Sequence, residues 1–184
     1  MKNFIVIIDG PMGSGKTTVG EFLHSRLKRT AMISTGAIKS FISDFERGEK
    51  DNGINAAVLI RMCEEYIKQG INILLPQAFW KQEYVESYAK LARENGVEFF
   101  VYQIEGPKEL LLQRIEERHR QKSPTTAFFP EKALENLKKW ELNRYALGKN
   151  FDMSTMSSKQ ISQLIIDDLK SKLGEIVITQ DGSI

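Results

Sequence analysis

The sequence predicts a three-layer α/β/α fold around a parallel sheet, in a single domain over residues 1–184, and three observations lead to it. Short β-branched apolar runs alternate with longer amphipathic segments, the pattern of strands joined by crossover helices. The first run, Phe4 to Ile8, is apolar without interruption, as a strand covered on both faces must be. No repeat, low-complexity tract or Gly/Ser/Pro-rich linker divides the 184 residues.

Each element follows from its spacing. Phe4 to Ile8 is closed by Asp9-Gly10-Pro11, and Val19, Phe22, Leu23 and Leu27 then recur at helical spacing, so a helix begins near Gly15. Ala31 to Ile33 is a brief second strand. Val58, Leu59, Met62, Cys63, Tyr66 and Ile67 mark a helix that stops at Gly70. Ile71 to Leu75 is the third strand, stopped by Pro76. Tyr84, Val85, Tyr88, Leu91 and Ala92 make a helix ended by Asn95-Gly96, and Val97 to Ile104 is the fourth strand. Leu110, Leu111 and Ile115, then Ile161, Leu164, Ile165 and Leu169, give two further helices, with a short fifth strand around Phe151 between them. The tail from Glu175 to Thr179 reads equally as an edge strand or a frayed end.

Composition narrows the function classes. With 41% hydrophobic and 27% charged residues the chain is an ordinary globular one. At this length folding removes roughly 70% of the unfolded surface from water, so neither disulfide nor structural metal is needed. Cys63 is the only cysteine and His24 and His119 the only histidines, which excludes an internal disulfide and a Cys/His zinc cluster. Phe4 to Ile8 is too short for a signal peptide or a membrane span, so a cytoplasmic location is expected. A net charge of +2 gives no argument for nucleic acid or membrane as partner.

The chemistry is concentrated in Gly10-Pro11-Met12-Gly13-Ser14-Gly15-Lys16-Thr17, which fits G-x-x-x-x-G-K-S/T in full and lies between a buried strand and an amphipathic helix. Glycines at 10, 13 and 15 let the backbone curl so that successive N–H groups face inward, and the helix entered through Lys16, Thr17 and Thr18 adds unpaired donors and its positive dipole end. Such a cavity holds a polyphosphate. Lys16 is placed to reach the β and γ phosphates of ATP, and the Thr17 hydroxyl to ligate the bridging Mg²⁺.

These residues resemble the P-loop kinases of small molecules and nucleoside monophosphates. Asp9 to Thr17 is similar to the loop of cytidylate and adenylate kinases, and Ile33-Ser-Thr-Gly36 to the I-S-T-G after the second strand of adenylate kinases. Gly106 to Arg118 resembles the segment leading into their lid, where an arginine pair four residues apart lies over the nucleotide. Phe151-Asp-Met-Ser-Thr-Met-Ser157 resembles the loop that approaches the adenine. The resemblance implies a P-loop NTPase fold with sheet order 2-3-1-4-5, a helical lid inserted over about residues 114–135, ATP and Mg²⁺ as cofactors, and Arg114 on the nucleotide. The chain also departs from that pattern. Ala37, Ile38, Lys39 and Ser40 follow I-S-T-G where adenylate kinases carry an acid and an acceptor-gripping arginine, and the third strand ends Pro76-Gln77 without an acid near the metal. Asp9, at the mouth of the loop, is assigned to the metal. Antibiotic and sugar kinases place a catalytic acid after the second strand, and by that likeness Asp44 is the general base.

From Lys108 to Lys149 there are ten Lys/Arg against six Asp/Glu, while the rest of the chain is slightly acidic. Arg114 and Arg118 share a helical face ahead of a loop-like stretch, Lys122 to Pro130, and a guanidinium there can offset the charge of a transferring phosphoryl group. Arg118 is assigned that catalytic role. Arg120, Lys138, Lys139 and Arg144 read as well as surface charges, His24 and His119 as surface or structural residues, and Cys63 as core. Phe79, Trp80, Phe128, Phe129 and Trp140 read as packing rather than as an acceptor pocket. The functional expectation is transfer of the γ-phosphoryl of ATP to a small-molecule or nucleotide acceptor. An NTP-hydrolysing switch, or a nucleotide-binding module with weak catalysis, is the alternative, and phosphorylation of RNA ends is a variant disfavoured by the modest basic patch.

Overall fold

In the computed structural model the first strand, β1 (Phe4–Asp9), is buried along its whole length and forms the centre of a five-stranded sheet. The structure describes residues 3–46, 48–79, 81–122, 130–142, 148–174, 176 and 178. Trp80, Phe128, Phe129, Arg144 and most of the expected 122–130 loop lie outside them.

Chain order among the described residues is β1, α1 (Lys16–Arg26), β2 (Thr30–Met32), α2 (Thr35–Lys39), α3 (Glu49–Lys68), β3 (Asn72–Pro76), α4 (Gln82–Asn95), β4 (Glu98–Glu105), α5 (Lys108–Lys122), α6 (Pro130–Leu142), β5 (Lys149–Asp152) and α7 (Ser158–Leu173). All pairings between the five strands are parallel, in the order β2-β3-β1-β4-β5. That is the P-loop NTPase order. With β3 on one flank of β1 and β4 on the other, the strand order reverses at the end of β1, so the loop leaving β1 opens into a crevice.

Alternation along β1 makes two cores. Phe4, Val6 and Ile8 pack with Val19 and Leu23 of α1, Leu111 of α5, Leu137 of α6 and Ile161, Ile165 and Leu169 of α7. Ile5 and Ile7 face the other way, against Leu59, Cys63 and Ile67 of α3 and Val85, Tyr88 and Leu91 of α4. Three layers follow directly from this period of two.

Three helices extend the sequence reading. α2 occupies the segment after β2, and α3 begins at Glu49, inside the charged stretch before Val58. α6 starts at Pro130, whose fixed φ suits a first helical turn, and buries Ala133, Leu137 and Trp140 at successive turns. Phe79 and Trp140 are packed, Phe79 edge-on to Tyr88 at a centroid distance of 5.7 Å. In the tail, Ile178 makes an antiparallel bridge to Leu27, and Ile176 and Ile178 rest on the first core. No helix among the described residues is long and apolar enough to cross a membrane.

Candidate active site

The phosphate loop closes on itself between β1 and α1. Gly10, Gly13 and Gly15 have φ of 148°, 87° and 89°. At Gly13 a side chain is excluded twice, because the backbone is left-handed and a Cβ would lie 2.7 Å from the Leu111 carbonyl oxygen of α5. A Cβ on Gly10 would collide with the Ile104 carbonyl of β4. The loop is thus pressed against β4 and α5. Gly15 caps α1, Val19 N–H donates to the Gly15 carbonyl at 3.0 Å, and the N–H groups of Lys16, Thr17 and Thr18 precede the helical ladder and have no acceptor within it. The hydroxyl-bearing side chains of Thr17 and Thr18 are exposed at this turn.

Lys16 folds back over the loop. Its Nζ donates to the Pro11 carbonyl at 2.7 Å and to Ser14 Oγ at 3.5 Å. Part of the side chain reaches solvent, but the ammonium is enclosed by protein, and burial lowers its pKa to about 8. The Asp9 carboxylate works against that shift, and the Arg118 guanidinium adds to it. The field therefore brings together three residues singled out in the sequence: Lys16, Asp9 and Arg118.

Asp9 is fully buried and its two oxygens are both used. Oδ1 accepts the Phe79 N–H at 2.9 Å, and Oδ2 accepts Gln103 Nε2 at 3.3 Å. A buried carboxylate is tolerated only with such partners. Asp9 thereby ties the end of β1 to the residues after β3 and to β4, beneath the loop rather than in its mouth. Gln77, one residue beyond β3, is buried where an acid was sought. Its N–H donates to the Ile8 carbonyl at 3.1 Å, and its Oε1 accepts the Thr35 N–H at 2.8 Å. Gln77 and Gln103 were not singled out in the sequence; the apolar runs that end at them were the only available signal.

α5 carries Arg114, Arg118 and Arg120. Arg114 is half-buried, its guanidinium 3.9 Å from Met153 Sδ and 3.7 Å from where a Cβ on Gly15 would stand, so it lies beside the start of α1 and the loop before α7. Arg118 is exposed. Arg120 is paired at the surface with Glu116 at 2.6 Å, the solvated reading. Asp44 is exposed on the turn after α2, and among the described residues no hydrogen bond or ion pair joins it to the phosphate loop. Between the loop and α6 lies a cavity of about 110 Å³ lined by Pro11, Glu105, Lys108, Leu111, Leu137 and Trp140.

The cradle fits a polyphosphate, since the positive φ of Gly10, Gly13 and Gly15 curls the backbone at the N-terminus of α1, where the first-turn N–H groups have no acceptor within the helix. No cluster of three His, Cys, Asp or Glu residues among the described residues could hold a metal on its own. The exposed Thr17 hydroxyl is the side chain of this turn that would hold a cation such as Mg²⁺.

A family model described as AAA domain matches residues 5–141. No curated protein matches the chain. Solved structures resemble it throughout. The tunicamycin resistance protein of Deinococcus radiodurans is 14% identical, with a TM-score of 0.64, and the match covers 96% of this chain and 99% of that one. The Mycobacterium tuberculosis APS kinase CysC, solved with AMPPNP and APS, is 15% identical with a TM-score of 0.63, covering 92% and 98%. A sugar kinase from Janibacter sp. is 15% identical with a TM-score of 0.59, covering 94% and 95%. At these identities the likeness shows the fold alone, the P-loop NTPase-like α/β fold.

Proposed function

The chain belongs to the AAA domain family, and from that membership and the geometry of its phosphate loop we propose that it transfers the γ-phosphoryl of ATP to a small-molecule or nucleotide acceptor. The observation that carries this reading is the convergence on one loop of left-handed glycines, free helical N–H groups, the Lys16 ammonium and, within its field, Arg118. The likeness to a kinase solved with a nucleotide analogue and to a sugar kinase supports it.

In this mechanism the polyphosphate displaces the Pro11 carbonyl from Lys16, which then neutralises β and γ oxygens. The acceptor oxygen bonds to the γ phosphorus as the bridge to the β phosphate breaks, leaving ADP, and a hydroxyl acceptor gives its proton to Asp44 once the turn after α2 closes. Arg118 takes up the charge spread over the transferring group, and Arg114 lies along the nucleotide. Thr17 would hold Mg²⁺, which supplies charge neutralisation; Asp9, with both oxygens engaged, acts from behind through the loop it anchors.

The test is ADP release with Mg–ATP against a panel of sugars, alditols, nucleosides, aminoglycosides and nucleoside monophosphates, beside a control lacking acceptor. Acceptor-dependent release is expected. Turnover equal in the control would make the protein an NTP hydrolase, and nucleotide binding without turnover would make it a binding module.

A further inference from the structure

The inward stripe of α3 is Asn55, Leu59, Cys63 and Ile67, one residue per turn, and three of the four are ordinary core side chains. Asn55 is not. It is 3% exposed; its Nδ2 makes a long 3.4 Å bond to the Thr35 carbonyl, and its Oδ1 is buried without a hydrogen-bond partner. An apolar side chain of similar size would remove that cost, so an unsatisfied amide at a core position calls for an explanation.

Its neighbours supply one. Thr35 opens α2 and is held from two sides, its carbonyl by Asn55 and its N–H by Gln77 Oε1. Gln77 donates in turn to the Ile8 carbonyl, one residue before Asp9. A continuous run of hydrogen bonds therefore joins the Asn55 amide, through its Nδ2, to the base of the phosphate loop. α2 is five residues long and its Ser34 cap makes no side-chain bond, so it is held against α3 by this run and by the buried Ile38 side chain. The polar groups that meet here, Asn55, Thr35 and Gln77, are neutral, and the nearby Lys39 ammonium is seated 5.0 Å over the Phe45 ring. A neutral acceptor atom suits a hydroxyl donor and gives an anionic group no counter-charge.

We propose that Asn55 is an acceptor-binding residue: Oδ1, uncovered when α2 parts from α3, receives a hydrogen bond from a hydroxyl of an uncharged polyhydroxyl acceptor such as a sugar or nucleoside. This rests on the phosphotransferase reading above and narrows it to hydroxyl acceptors. Thr35 and Gln77 then fix that hydroxyl compound relative to the loop.

The experiment compares the full chain with Asn55→Leu and Asn55→Ala, using Mg–ATP with aldohexoses, alditols, nucleosides and nucleoside monophosphates. A hydroxyl compound is expected to be the wild-type substrate. Both variants should raise its KM about tenfold or more and leave the KM for ATP within about twofold, and Asn55→Leu, which keeps the volume while removing the unsatisfied amide, should melt no lower than wild type. A lowered Tm with unchanged acceptor KM would make Asn55 merely structural and overturn the inference. Phosphorylation of nucleoside monophosphates alone would also overturn it while leaving the kinase reading in place. Acceptor-independent hydrolysis alone would remove both.

Discussion

Gly13→Ala is the sharpest structural perturbation of the phosphate loop. The new Cβ would stand 2.7 Å from the Leu111 carbonyl oxygen and 3.2 Å from Ile115 Cγ1, at a φ of 87°. Left-handed backbone costs a residue with a Cβ about 1–2 kcal/mol. The carbonyl belongs to α5 and cannot retreat without moving the helix that carries Arg114 and Arg118, so overpacking adds about 1–3 kcal/mol. A total near 3 kcal/mol lowers Tm by roughly 6–12 °C in a chain of this size. Gly53→Ala is the matched control. It lies in α3 with no atom within 4 Å of its added Cβ, and should stabilise by about 0.5–1 kcal/mol. Thermal melts with and without Mg–ATP complete the assay: at about a hundredfold excess over Kd the wild type gains about 2.7 kcal/mol, and Gly13→Ala should gain almost none. Were Gly13→Ala to melt with the wild type and keep the nucleotide shift, the packing of this loop on α5 would be wrong.

The remaining predictions concern charge. Lys16 has a folded pKa of about 8 against 10.5 ordinarily, so between those values the unfolded chain holds a proton the folded one has released; stability from this group therefore rises as pH climbs from 8 to 10.5, and Lys16→Met should lose that rise in pH-dependent urea melts. The same titration should make kcat/KM for ATP fall above pH about 8. Asp9→Asn, removing the charge that keeps the proton on, should move that limb down, and Arg118→Ala should move it up; limbs that coincide with wild type would break the proposed coupling. Arg118→Ala should also lower kcat more than it raises the KM for ATP, with poor rescue by lysine, which lacks the bidentate fork. Asp44→Asn should lower kcat by roughly 10²-fold on a hydroxyl acceptor, and an unchanged kcat would remove Asp44 as the base.

Much of this architecture is local, and local features were legible. The central strands β1 and β3 are largely apolar runs, α3 and α4 end before Gly70 and Gly96, and the loop declares itself by its glycines, lysine and threonine. α6 carried its signal in Ala133, Leu137 and Trp140, but that stripe is set among so many Lys and Glu residues that charge dominates the segment. The start of α3 was hidden for a related reason: its first inward position is Asn55, a polar residue at the head of an apolar stripe. What could not be read were partnerships across the chain. Gln77 meets Thr35 and Gln103 meets Asp9 over separations of 42 and 94 residues, and nothing local to either glutamine announces them. The absence of an acid after β3 was visible in Pro76-Gln77, but that Gln77 instead joins the loop to α2 is a property of the folded chain.

The central claim is that the phosphate loop delivers the γ-phosphoryl of ATP to an acceptor rather than to water. Following a label on that phosphoryl, in wild type and in Lys16→Ala with a matching melt to show that the variant is folded, tests it most directly. The label should appear in a phosphoester of the acceptor, and Lys16→Ala should reduce its formation by about 10²-fold or more. Label released only as inorganic phosphate whatever acceptor is present, or transfer undiminished in folded Lys16→Ala, would contradict it.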